Sequence, residues 1–162
     1  MQRLMLLTDG SMTLLLEIYT ENPVVVETLK QQIIPATAEL AAKFNLEKEA
    51  DLNYREVILK DGVLDKPLLY ACSLTPLSRL TDEFREDLLR ADIPIGKIMK
   101  RHGLEFRRDL TRIAEEEASA KLIEIFGLGA REKILKRFYD IIHRKEILIS
   151  IMEAFPAAYY RS

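Results

Sequence analysis

Arg55 and Glu153 are charged residues whose surroundings in sequence are apolar. Arg55 lies in Tyr54-Arg55-Glu56-Val57-Ile58-Leu59-Lys60-Asp61-Gly62, and the period of two of a strand places it on the face of Val57 and Leu59. Glu153 lies in Ile147-Leu148-Ile149-Ser150-Ile151-Met152-Glu153-Ala154-Phe155, on the face shared by Ile147, Ile149, Ile151 and Phe155. A charge on a core-facing position costs on the order of several kcal/mol unless a partner or a polar ligand meets it. The two residues therefore predict a polar pocket in the interior. The planar guanidinium suits a carboxylate, which it can clamp with two parallel donors. The carboxylate suits a hydroxyl or a proton in transit. From these residues alone two other readings stay open: the two side chains pair with each other, or the strand parity slips and both face water.

The elements that would position them follow from periodicity and punctuation. Met12 to Thr20 alternates as a strand, with Met12, Leu14, Leu16 and Ile18 on one face, and turns at Glu21-Asn22-Pro23 into a second strand to Ile34. Leu40, Ala41 and Phe44 mark a short helix after Pro35. Asp51 to Lys60 and Val63 to Thr75 form a hairpin around Asp61-Gly62, where glycine accepts positive φ. Thr81 opens one helix, Asp92 and Pro94 open another that Gly103 closes, and Leu104 to about Arg112 reads as a strand. A helix from Ser119 to Phe126 and a closing hairpin, Lys133 to Ile142 with Ile147 to Phe155, complete the chain. Antiparallel pairs with helices inserted between them give an α+β fold with one antiparallel sheet. The chain reads as a single domain over residues 1–162, with no repeat legible.

Four segments occur in a telling order: Asp9-Gly10-Ser11-Met12-Thr13, then Arg55-Glu56-Val57-Ile58-Leu59 before Asp61-Gly62, then Pro94-Ile95-Gly96, then Met152-Glu153-Ala154-Phe155-Pro156. Over nearly its whole length the sequence resembles the chorismate lyases. The resemblance implies a chorismate lyase-like sheet enclosing an interior ligand pocket. It also implies conversion of chorismate to 4-hydroxybenzoate and pyruvate with no cofactor and no metal. Arg55 and Glu153 would be its catalytic residues, and Met12, Arg55, Ile95 and Glu153 would bind the substrate. For Ile95 there is a physical reason as well, since the first N–H groups of a helix have no intrahelical partner. Arg108, in parity with Phe106 and Leu110, is favoured for the second carboxylate. Ile95 stands where leucine is usual and Met152 where a polar residue is usual, which bears on pocket shape. The stretch from Arg55 to Pro76 also resembles the UTRA ligand-sensing domains of bacterial regulators, which share the fold and do no chemistry. A non-catalytic binding domain, or a relative acting on another cyclic carboxylate, is thus the alternative.

Composition excludes several other classes. A net charge of −2 over 162 residues, with basic and acidic residues interleaved, offers no general attraction to nucleic acid. The apolar start, Met1 to Leu7, is broken by Thr8-Asp9-Gly10 and is too short for a secretory core or a membrane span, so a cytoplasmic protein without membrane insertion is expected. Cys72 reads as a buried small hydrophobe, and His102 and His143 lack partners at metal spacing.

Overall fold

The computed structural model describes residues 1–160. Six antiparallel strands form one sheet in the order β1-β2-β3-β6-β5-β4: β1 Val24–Pro35, β2 Asp51–Asp61, β3 Pro67–Pro76, β4 Arg107–Glu117, β5 Lys133–His143 and β6 Glu146–Pro156. The helices are α1 Gln2–Leu7, α2 Met12–Thr20, α3 Ala38–Phe44, α4 Asp82–Leu89, α5 Ile95–Arg101 and α6 Ala120–Phe126. The α+β expectation holds, and both hairpins around Asp61-Gly62 and Arg144-Lys145 form.

The α1 helix has no counterpart in the sequence reading, β4 runs Arg107–Glu117 where the sequence predicts Leu104 to about Arg112, and one element differs in kind. Met12–Thr20 is a helix, and β1 pairs with β2 instead of with it. The alternation of Met12, Leu14, Leu16 and Ile18 coexists with a helical spacing of Met12 to Leu16. Two local effects decide the outcome: leucine favours helix, and the Ser11 hydroxyl accepts the Leu14 N–H as an N-cap. Met12 and Leu16 are buried while Leu14 and Ile18 face solvent. Burying each inward side chain stabilises the docked helix by about 1.5–3 kcal/mol.

The sheet is a doubled unit. Strand, helix, strand and hairpin strand run β1-α3-β2-β3 in the first half and β4-α6-β5-β6 in the second, and the halves meet at the β3–β6 pair. Thr37 and Ser119 cap the two inserted helices by accepting the N–H of Leu40 and Leu122. Phe44 and Phe126 are buried, and Asn45 and Gly127 end the helices in the left-handed region. Arg55 and Arg137 fall at the same spacing, each on the central strand of its half. The repeat escapes a sequence scan because its matches are isolated caps and core positions.

Helices cover both faces. On the back, α3 packs on Leu52 and Leu74, and α6 packs on Tyr70, Ile134 and Ala154. On the front, α1 and α2 close over Leu59, Leu69 and Phe155, while α4 and α5 close over Tyr139, Ile141, Ile149 and Ile151. Between these two apolar clusters the front face carries a band of polar side chains. Ile147 does not share it. The register shift opposite Ile141/Ile142 turns Ile147 to the back, against Leu74, so its expected parity with Ile149 fails.

Candidate active site

The band is set by strand register. Arg55 lies opposite Ser73, which lies opposite Ile151 and then Tyr139. One row along, Val57, Ala71, Glu153 and Arg137 follow in the same way. The front-face placement of Arg55 with Val57 and Leu59, and of Glu153 with Ile149, Ile151 and Phe155, is thus as expected. Arg55 is 2% exposed and Glu153 is 5% exposed, so neither faces water.

These two residues do not pair with each other. The Glu153 carboxylate accepts from Arg137 Nε at 2.6 Å on Oε2 and from the Tyr139 hydroxyl at 2.9 Å on Oε1. Burial, and then the charge of Glu153, push the Tyr139 phenol above its ordinary value, so it keeps the proton it donates. Arg137 is the partner that the sequence reading missed. The signal was there: the closing hairpin sets Arg137 across from Glu153, and it alternates with Tyr139 and Ile141. Arg137 Nη1 also donates to the carbonyls of Met5 at 2.8 Å and Thr8 at 2.9 Å, which ties α1 to the floor of the site.

Arg55 spends much of its guanidinium on the chain. Nη1 donates to the Ile93 carbonyl at 3.0 Å, and Nη2 donates to the Ala91 carbonyl at 3.1 Å and the Thr28 hydroxyl at 3.2 Å. Nε is buried without a partner. Burial draws the guanidinium below its usual value, and the nearby Asp92 opposes this. Ala91 has φ 62°, a conformation that costs a side-chain-bearing residue about 1–2 kcal/mol. The arginine thereby holds the corner between α4 and α5, and the next residues, Pro94, Ile95 and Gly96, form a wall of the cavity.

The cavity has a volume of about 80 Å³, several times the roughly 10–15 Å³ that one water needs on the same measure. Met12, Arg55, Ile95 and Glu153 all line it, as does Arg108. Ser73 and Thr13, not singled out from sequence, line it too. Arg108 Nη1 donates to the Asp9 carbonyl at 2.5 Å, and its Nε is buried and free. Three guanidinium groups stand against Glu153 and the more distant Asp92, an excess of positive charge that favours an anionic ligand. Cys72 is half-buried, and burial pushes its thiol up, away from nucleophilic use. Among the described residues no group of three His, Cys, Asp or Glu is placed to hold a metal. No described helix is long and apolar enough to cross a membrane.

Residues 6–161 match the profile of a family described as chorismate pyruvate-lyase, Rv2949c-like. The chain belongs to that family. Its relatives include the protein named "Putative lyase MJ0807" of Methanocaldococcus jannaschii, 39% identical over 159 residues that make up 95% of this chain and 77% of the relative. Among solved structures, the effector domain of PhnF from Mycobacterium smegmatis superposes with a TM-score of 0.77 at 16% identity, covering 94% of this chain and 91% of that one. Full PhnF gives the same score at 15% identity, and there the chain spans 66% of the other's length. The ligand-binding domain of a GntR-family regulator from Bordetella bronchiseptica gives 0.68 at 17% identity over 88% of this chain and 91% of that one. At such identities the likeness is one of fold, and it agrees with the shared architecture implied by the UTRA resemblance.

Proposed function

We propose that this member of the lyase family is itself a chorismate pyruvate-lyase, forming 4-hydroxybenzoate and pyruvate in the front-face cavity. The observation that carries the reading is Glu153: a buried carboxylate accepting on both oxygens, in a cavity that two arginines with uncommitted N–H also line. In the reaction a proton leaves the ring carbon that bears the hydroxyl, and its electron pair enters the ring. The ether C–O bond breaks, and the enol fragment takes a proton on its methylene to become pyruvate. Aromatisation drives the step, so the protein's task is to orient the ether and the departing hydrogen and to keep water out. Glu153 would hold the ring hydroxyl and handle the proton. The free Nε of Arg55 would meet one carboxylate with the main chain at Met12 and Ile95, and Arg108 would meet the other.

Mixing the folded protein with chorismate and no additive is expected to yield both products in equal amounts, with the same rate in the presence of a chelator. Absence of both products sinks the enzyme reading. The fold shared with regulators' ligand-binding domains favours a second reading, a binding domain without chemistry. Tight binding of 4-hydroxybenzoate with no turnover would select it.

Arg55→Lys is expected to weaken 4-hydroxybenzoate binding about 10- to 100-fold, the worth of a charge-assisted hydrogen bond of roughly 1.5–3 kcal/mol. A lysine carries its donors on one nitrogen, which cannot reach both the Ala91 and Ile93 carbonyls and also stand where the Arg55 Nε stands. Calorimetric titration of wild type and variant measures this, and equal affinities would remove Arg55 from the ligand.

A further inference from the structure

Beside Arg55, deeper under α4, lies a second polar cluster that the lyase reading does not use. Asn53 and Thr75 are ladder partners on β2 and β3, both on the front face and both fully excluded from solvent. Neither Asn53 Nδ2 nor Oδ1 has a hydrogen-bond partner, and neither has Thr75 Oγ1. Gln31, the ladder partner of Arg55 on β1, donates from Nε2 to the carbonyls of Leu88 at 3.2 Å and Leu89 at 3.3 Å, yet its buried Oε1 is also unpartnered. Gln31 lies diagonally across from Asn53, within reach of a long side chain.

Buried polar atoms are nearly always satisfied, and an amide with neither its donors nor its acceptor used is a marked exception. The unused groups comprise one NH₂, one hydroxyl and two amide oxygens. That is an uncharged set with both donors and acceptors, and it matches a small neutral molecule with both functions. We propose that Asn53, Thr75 and Gln31 bind one or two internal water molecules, which bridge β1, β2 and β3 beneath the C-terminal end of α4. The site stiffens the corner that Arg55 grips from the other side. Gln31 holds the carbonyls of residues 88 and 89, Arg55 those of 91 and 93, and the chain then enters the cavity wall at Ile95.

The inference is independent of the substrate, and its test needs none. A crystal structure of the whole chain at high resolution is expected to show solvent density within hydrogen-bond distance of Asn53 and Thr75. Direct bonding between these side chains with no solvent peak overturns the proposal. Variants supply a second measurement. Thr75→Val, which keeps shape and removes the hydroxyl, is expected to lower the melting temperature by several degrees and to speed amide exchange at residues 88–96, with β5 and β6 unchanged. Asn53→Leu combined with Thr75→Val removes the polar groups that β2 and β3 contribute and leaves only the Gln31 oxygen, so the double variant should melt higher than the sum of the single losses requires. Strictly additive losses, or a Thr75→Val protein with wild-type melting and exchange, overturn the site.

Discussion

Replacing Arg137 with methionine is expected to destabilise the protein by about 3–5 kcal/mol, the usual cost of removing one member of a buried ion pair. For a chain of this size that corresponds to a fall in melting temperature of roughly 10 °C. Arg137 is 1% exposed, and its loss leaves the Glu153 carboxylate with the Tyr139 hydroxyl as its remaining protein partner. The carbonyls of Met5 and Thr8 lose their donor at the same time, so α1 should loosen before the sheet does. Circular dichroism melting measures the first effect and amide exchange over residues 2–8 the second. Adding Glu153→Leu to the variant should restore part of the lost stability, because it removes the stranded charge. A melting temperature within a degree or two of wild type would contradict the pairing described above.

Glu153→Gln is expected to cut turnover of chorismate by about 10²- to 10⁴-fold, the range associated with a positioned acid or base. Its effect on 4-hydroxybenzoate affinity should be much smaller. Glutamine keeps the shape of the side chain and can keep both bonds: its oxygen accepts from Arg137 Nε, and its NH₂ donates to the Tyr139 oxygen, which reverses that bond. What it cannot do is exchange a proton as a carboxylate does. Single-turnover rates and product titrations on the same variant separate the two effects. Wild-type turnover in a folded Glu153→Gln protein would take Glu153 out of proton handling and leave it as a positioning residue for the ring hydroxyl.

Much of this was legible in the chain because strand parity is a two-state property. Once β2 and β6 were recognised, the side of the sheet taken by Arg55 and Glu153 followed, and the buried charges pointed to a pocket. Parity misled at Ile147, where a one-residue register shift reverses the face, and a shift of that kind leaves no mark in an isoleucine-leucine run. The Met12–Thr20 segment carried both periods at once, so hydrophobic spacing could not separate helix from strand; the Ser11 cap could have done so. The site's partners were harder to see. Arg137 could be found by pairing the predicted hairpin residue by residue. By contrast, the grip of Arg55 on the carbonyls of Ala91 and Ile93 depends on a corner with no sequence pattern of its own.

The hold that Arg137 has on α1 orders events in time as well as in space. The bonded carbonyls of Met5 and Thr8 lie well over a hundred residues from their donor, and Gln2 reaches the Ala157 carbonyl across a similar separation. Closing so long a loop carries a large entropic cost before any contact forms, so such pairings come late in folding. The polar bonds that anchor the first helix therefore wait for β5 and the residues after β6, although part of its apolar surface, Leu59 and Leu69, comes from β2 and β3. On a ribosome the helix can rest on β2 and β3 early, but it is fastened only when Arg137 has emerged.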